Sequence, residues 1–255
     1  MKTLALLGMI ALLGLGRAQA IEVEVVGNDY SVPKIYNEQG EARGILVDIL
    51  RYLDRELPQD TLSLRLYPWA RAYKLAESGQ VAIVGLSLTK ERLAIFDYSE
   101  PLFYDEVVMV VRKGREFEFT GIEALSGKRL GIGSGGTFGD DFEQARRSGV
   151  FMVDEDNGPT VRLKKLLTGR IDVALINPGR AGLNAALKRD PALIGREDDF
   201  SVLDRPLKRD ANYLGVPKSL KLGDFLERFN QAVRRGYSNG AIPRLIEQYQ
   251  PRPTP

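Results

Sequence analysis

Cysteine and histidine are both missing from this chain of 255 residues, and tryptophan occurs once. Without cysteine there are no disulfides, so the hydrophobic core alone must hold the fold. Without either residue, Ser-His-Asp and Cys-His catalysis and the common zinc sites are excluded. Any enzyme built from this sequence has only carboxylates, Lys, Tyr or Ser for its chemistry. No catalytic residue is assigned, and neither a cofactor nor a metal is expected. Long apolar runs are also scarce: after the first 20 residues none is long enough to span a bilayer.

The first 20 residues have their own pattern. Met1-Lys2-Thr3 is followed by an apolar run from Leu4 to Leu15, and the segment closes on Arg17-Ala18-Gln19-Ala20. This is the order of a secretory signal peptide cleaved after Ala20, which predicts a periplasmic protein. Cleavage removes Lys2 and Arg17 and leaves equal numbers of acidic and basic side chains. A neutral chain gives no reason to expect nucleic acid or an anionic membrane as partner.

The rest of the chain alternates strand and helix patterns, which predicts an α/β fold. Ile21 to Val26 and Leu62 to Leu66 read as strands. Val81 to Leu86 and Val107 to Val111 are continuous apolar runs, as in strands covered on both faces. Ile45, Ile49, Leu50 and Leu53 share a helix face, and Trp69 to Ser78 is helical, with Gly79 placed to end it. The pattern then restarts. Arg129 to Gly133 is a strand that opens into Ser134-Gly135-Gly136-Thr137, with a helix following to about Arg147. Val161 to Thr168 is a helix, Ile171 to Ile176 a buried strand, and Pro178 suits the first turn of the next helix. Tyr213 to Val216 is a late strand, and two helices near Leu222 to Tyr237 and Ile242 to Tyr249 close the chain. The tail Pro251-Arg252-Pro253-Thr254-Pro255 cannot continue a helix.

Four ordered motifs carry a resemblance: Gly44-Ile45-Leu46-Val47-Asp48, Pro68-Trp69-Ala70-Arg71-Ala72, Ser87-Leu88-Thr89-Lys90-Glu91-Arg92 and Tyr98-Ser99-Glu100-Pro101. Gly127-Lys128-Arg129-Leu130-Gly131 and Gly169-Arg170-Ile171-Asp172 extend it. The set resembles the family 3 extracellular solute-binding proteins, which serve polar amino acid ABC importers. The resemblance implies two Rossmann-like lobes with a central cleft and hinge, the type II periplasmic binding fold. It implies a discontinuous first lobe, 21–111 plus 212–255, with 112–211 as the second. It also implies a monomer that delivers a small-molecule ligand to a membrane ABC permease.

The resemblance further implies a ligand site. Arg92, in a Thr-x-x-Arg turn, meets the ligand carboxylate; its planar fork of donors suits that role. Gly85 and Ser87 contact the ligand through backbone and hydroxyl. Tyr30 and Trp69 sandwich its body, since flat rings give contact area at low entropy cost. Gly136 and Thr137 meet the carboxylate from the opposite lobe, where free N–H groups at a helix start favour an anion. Asn177 departs from the pattern, which has an Asp there to bind an α-ammonium. An amide carries no charge for that purpose, so the ligand is expected to lack a free α-ammonium at that position, unless Asp140 or Asp141 reaches across. Two other functions fit the same fold: a dehydratase-type enzyme acting on a cyclic carboxylic acid, or a sensory module acting in trans.

Overall fold

The computed structural model describes residues 21–249. The expected signal peptide and the proline-rich tail lie outside the described residues. The chain begins with β1 (Ile21–Asn28), then a small ribbon of β2 (Tyr30–Ser31), β3 (Ile35–Glu38) and β4 (Glu41–Arg43). Helix α1 (Ile45–Arg55), β5 (Asp60–Tyr67), α2 (Trp69–Glu77), β6 (Ala82–Leu86), the short α3 (Lys90–Leu93) and β7 (Phe96–Tyr98) follow. Strand β8 (Phe103–Arg112) leads into β9 (Arg129–Gly133), α4 (Asp140–Arg147), β10 (Met152–Asp156), α5 (Pro159–Leu167), β11 (Val173–Ile176), α6 (Gly179–Arg189) and β12 (Phe200–Val202). Strand β13 (Lys208–Pro217) returns, and α7 (Gly223–Ser238) and α8 (Ala241–Glu247) close the fold.

The main sheet runs β10-β9-β11-β8-β13-β6-β1-β5. β1 pairs in parallel with β5 and β6, and β9 pairs in parallel with β10 and β11. Between these two parallel groups lie β8 and β13, antiparallel to each other from Lys208↔Val107 to Asn212↔Phe103. Each group carries its own core, giving the two-lobed α/β architecture. In the first lobe, Val23, Val25, Val84, Leu214 and Phe229 pack against one face of α1. In the second, Met109, Leu130, Ile132, Val173 and Leu175 pack with Phe142 and Phe151. Leu163, Leu166, Ala174 and Leu187 fill its other face.

Local chemistry accounts for the elements. Ile45, Leu46, Ile49, Leu50 and Leu53 are all buried, whereas Arg51 and Arg55 on the far side are exposed. Burying each such aliphatic side chain contributes about 1.5–3 kcal/mol, so Leu53→Ala would cost about 2–5 kcal/mol. Gly44 starts this helix at φ 115°, and a Cβ there would stand 2.6 Å from the Lys34 carbonyl oxygen. Only glycine tolerates both. Among the described residues, no helix is long and apolar enough to cross a membrane.

Two expectations shift. Pro178 precedes α6 rather than occupying its first helical position. The helix after the Gly-rich turn begins at Asp140, preceded by Gly139, so two residues, Phe138 and Gly139, separate Thr137 from its start.

Candidate functional site

The carboxyl ends of the six parallel strands converge on a cleft between the lobes, where open α/β sheets bind their ligands. β1 delivers Asn28 and Asp29, β5 delivers Trp69, and β6 delivers Gly85 and Ser87. Opposite them, β9 delivers Gly136 and Thr137, β10 delivers Asp156 to Gly158, and β11 delivers Asn177. The cavity measures about 460 Å³. Tyr30, Trp69, Gly85, Ser87, Arg92, Gly136, Thr137 and Asn177, scattered in the sequence, all line it.

Arg92 is a buried cation on the cavity wall, 5 % exposed. The Thr89 hydroxyl accepts a hydrogen bond from the Arg92 backbone N–H at 3.2 Å and caps α3. Nη1 donates to the Ser87 carbonyl at 3.1 Å, and the guanidinium lies over the rings of Tyr73 and Trp69, 4.8 and 5.9 Å from their centres. None of the carboxylates among the described residues pairs with it. Tyr98 donates to the same Ser87 carbonyl. Burial raises the Tyr98 hydroxyl above its ordinary value, and the Arg92 charge pulls it partly back.

The two rings already touch the opposite lobe. Trp69 Nε1 donates to the Gly135 carbonyl at 3.2 Å. The Arg189 guanidinium of α6 stands 4.2 Å over the Tyr30 ring. A backbone bond of the same kind runs from the Lys90 N–H to the Asp140 carboxylate at 3.0 Å.

The Gly-rich turn differs from the expected anion site. Asp140, Asp141 and Glu143 occupy the first turn of α4, and Thr137 donates its hydroxyl to Glu143 at 2.7 Å. The Gly136 N–H closes the turn onto the Gly133 carbonyl. The helix's own acids thus already neutralise its positive end. Neither Asp140 nor Asp141 lines the cavity, so neither replaces the charge that Asn177 lacks.

Five charged groups on the wall escaped the sequence reading: Asp29, Lys34, Asp156, Arg162 and Asp210. Arg162 grips Asp156 with two bonds, Nε to Oδ2 at 3.1 Å and Nη2 to Oδ1 at 2.8 Å. Lys34 pairs with Asp105 at 2.8 Å, and Asp210 pairs with Lys208 at 2.8 Å and accepts from the Ser87 hydroxyl. Asp105 Oδ1 is buried without a hydrogen-bond partner among the described residues. Burial raises the Asp29 carboxyl above its ordinary range; a backbone hydrogen bond and the Arg189 charge pull it partly back. Among the described residues, no group of three or more carboxylates is placed to hold a metal ion.

Residues 23–252 match the family described as bacterial extracellular solute-binding proteins, family 3. The L-cystine-binding protein TcyJ of Escherichia coli K12 is 24 % identical over 217 residues, covering 83 % of this chain and 76 % of that protein. An ancestral arginine-binding protein bound to arginine superposes with a TM-score of 0.72 at 19 % identity, covering 90 % of this chain and 98 % of that one. A histidine kinase sensor domain with similarity to periplasmic binding proteins gives 0.73 at 19 % identity, covering 89 % and 95 %.

Proposed function

Because the chain belongs to family 3 of the bacterial extracellular solute-binding proteins, we propose that it captures a small polar, carboxylate-bearing solute in the cleft and delivers it to a membrane ABC importer. The observation that carries the reading is Arg92. A buried guanidinium without an anionic partner among the described residues is costly to keep, and Arg92 lines a cavity of solute size. A carboxylate there would complete it with paired, charge-assisted bonds.

In this reading, residues 21–111 with 212–255 form one jaw and 112–211 the other, with β8 and β13 as the hinge between them. Tyr30 and Trp69 flank the solute. Gly85 and Ser87 contact it from the Arg92 side, and Gly136, Thr137 and Asn177 close from the opposite side. The protein works as a periplasmic monomer after removal of residues 1–20. L-Cystine and L-arginine, bound by the relatives above, set the size range to screen. Cleft turnover would need an acid or base placed for it; of the wall carboxylates, Asp156 and Asp210 are held in ion pairs, and Asp29 is the one outside such a pair among the described residues.

A thermal-shift screen of amino acids, amines, oligopeptides and organic acids identifies the solute, because binding raises stability by mass action. Arg92→Ala is then titrated against it by calorimetry. Loss of about 2–5 kcal/mol of binding free energy is expected. Unchanged affinity removes Arg92 from the site and the carboxylate from the proposal.

A further inference from the structure

Resting on that receptor reading, we infer that the solute presents two oxygen groups to one wall of the cleft: its carboxylate to Arg92, and a neutral acceptor, in place of an ammonium, to Lys34. The class is a monocarboxylate bearing a hydroxyl, oxo or acylated-nitrogen group. Lys34 is the specificity-determining residue.

Lys34 lines the cavity yet its side chain is only 8 % exposed. It is rigidly placed. The first two backbone N–H groups of α1, from Ile45 and Leu46, hold the carbonyls of Pro33 and Lys34 at 3.1 and 2.9 Å. Its ammonium donates to Asp105 at 2.8 Å and to the Asn212 amide oxygen at 3.2 Å. An ammonium has three protons, so one remains for the cavity.

Asn212 ties the Lys34 ammonium to the neighbourhood of Gly85. A Cβ on Gly85 would stand 3.9 Å from the same Asn212 oxygen. Gly85 lies two residues before Ser87, whose carbonyl accepts from Arg92. Lys34, through Asn212, and Arg92, through the Ser87 carbonyl, thus each approach the short wall segment Gly85 to Ser87.

Charge balance sets the rest. Arg162 is matched by Asp156, Lys34 by Asp105 and Asp210 by Lys208, which leaves Arg92 as the unmatched cation on the wall. Asp29, the remaining carboxylate, sits next to Tyr30 in the field of Arg189. A solute ammonium near Gly85 would meet a like charge at Lys34 and a neutral amide at Asn177. It would be desolvated without compensation.

The test is calorimetry on the purified protein. L-Leucine, L-phenylalanine, L-glutamine and L-arginine are each compared with their 2-hydroxy, 2-oxo and N-acetyl counterparts. At least one counterpart is expected to bind about tenfold or more tightly than its amino acid. The charge-balanced variant Lys34→Met/Asp105→Asn should erase that preference, whereas Arg92→Ala should erase binding altogether. The wild-type ratio decides alone if the double variant does not fold. An amino acid that binds more tightly than its counterparts and depends on Arg92 overturns this inference and leaves the receptor reading standing. No binding by any probe overturns both.

Discussion

Replacing Arg162 by methionine keeps most of the apolar stem of the side chain and removes its charged head. The structure fixes what is left behind. Asp156 has a side chain 1 % exposed and Arg162 one of 6 %. Arg162 supplies two bonds to the carboxylate and a third, from Nη1, to the Leu175 carbonyl at 2.5 Å. In the variant Asp156 keeps the Gly158 N–H at 3.0 Å and the Lys165 ammonium at 4.0 Å, but that ammonium is held closer by Asp154, at 2.5 Å. A buried carboxylate stripped of its main partner costs about 3–5 kcal/mol. For a chain of this size that lowers the melting midpoint by roughly 6–20 °C. Circular dichroism during heating and urea titration read the loss directly. Asp156→Leu/Arg162→Met removes both charges and should recover most of it, because a buried pair is worth little more than the apolar groups that replace it. A loss below about 1 kcal/mol in the single variant would mean that water reaches Asp156 and the pair is not buried in solution. A double variant as unstable as the single one would refute the charge argument and leave packing as the cause.

Three further outcomes follow from the site. Trp69 is the sole tryptophan and bonds across the cleft, so iodide quenching of its emission should differ between free protein and protein saturated with a solute that calorimetry shows to bind; identical quenching would take Trp69 out of the moving contact. Gly158 has φ +152°, and a Cβ there would stand 3.1 Å from the Tyr30 ring, so Gly158→Ala should cost about 1–2 kcal/mol in urea titration, and an unchanged midpoint would show that Tyr30 yields freely. The Asp29 carboxyl is raised above its ordinary 3.8 by burial, so the folded protein binds its proton more tightly than the unfolded chain and loses stability as pH rises through that window. Asp29→Asn removes this penalty: the variant should gain on the wild type between pH 3 and pH 7 (about neutral), and a constant difference across that range in thermal melts would show that Asp29 is solvated.

The elements were legible where periodicity is strong. α1 and β6 lie where their apolar patterns place them, because each buries one face or both against a core. The ribbon of β2 to β4 was not legible, since its strands are two to four residues long and largely polar. The cavity wall was legible in part. Strand ends and the motifs bring Tyr30, Trp69 and Arg92 together, but Lys34 reads as a loop lysine. Its partners lie 71 and 178 positions away, and no local pattern announces them. Arg162 reads as the polar face of a helix until β10 places Asp156 beneath it. The start of α4 was misplaced because Gly135 and Gly139, both at positive φ, let the chain turn twice before the helix begins.

The placement of β13 has a consequence for biosynthesis. The core of the second lobe is built from residues 107–203, a continuous stretch. The core of the first lobe needs Leu214, Val216, Phe225, Phe229 and Ile242 to complete what Val23 to Phe103 begin. As the chain emerges from its amino end, the part made first is therefore finished last. Until nearly the whole chain has been made, the apolar faces of β1, β6 and α1 lack their cover. The nascent protein carries an unsealed surface through most of its synthesis, and chaperones or onward passage in an unfolded form must protect it.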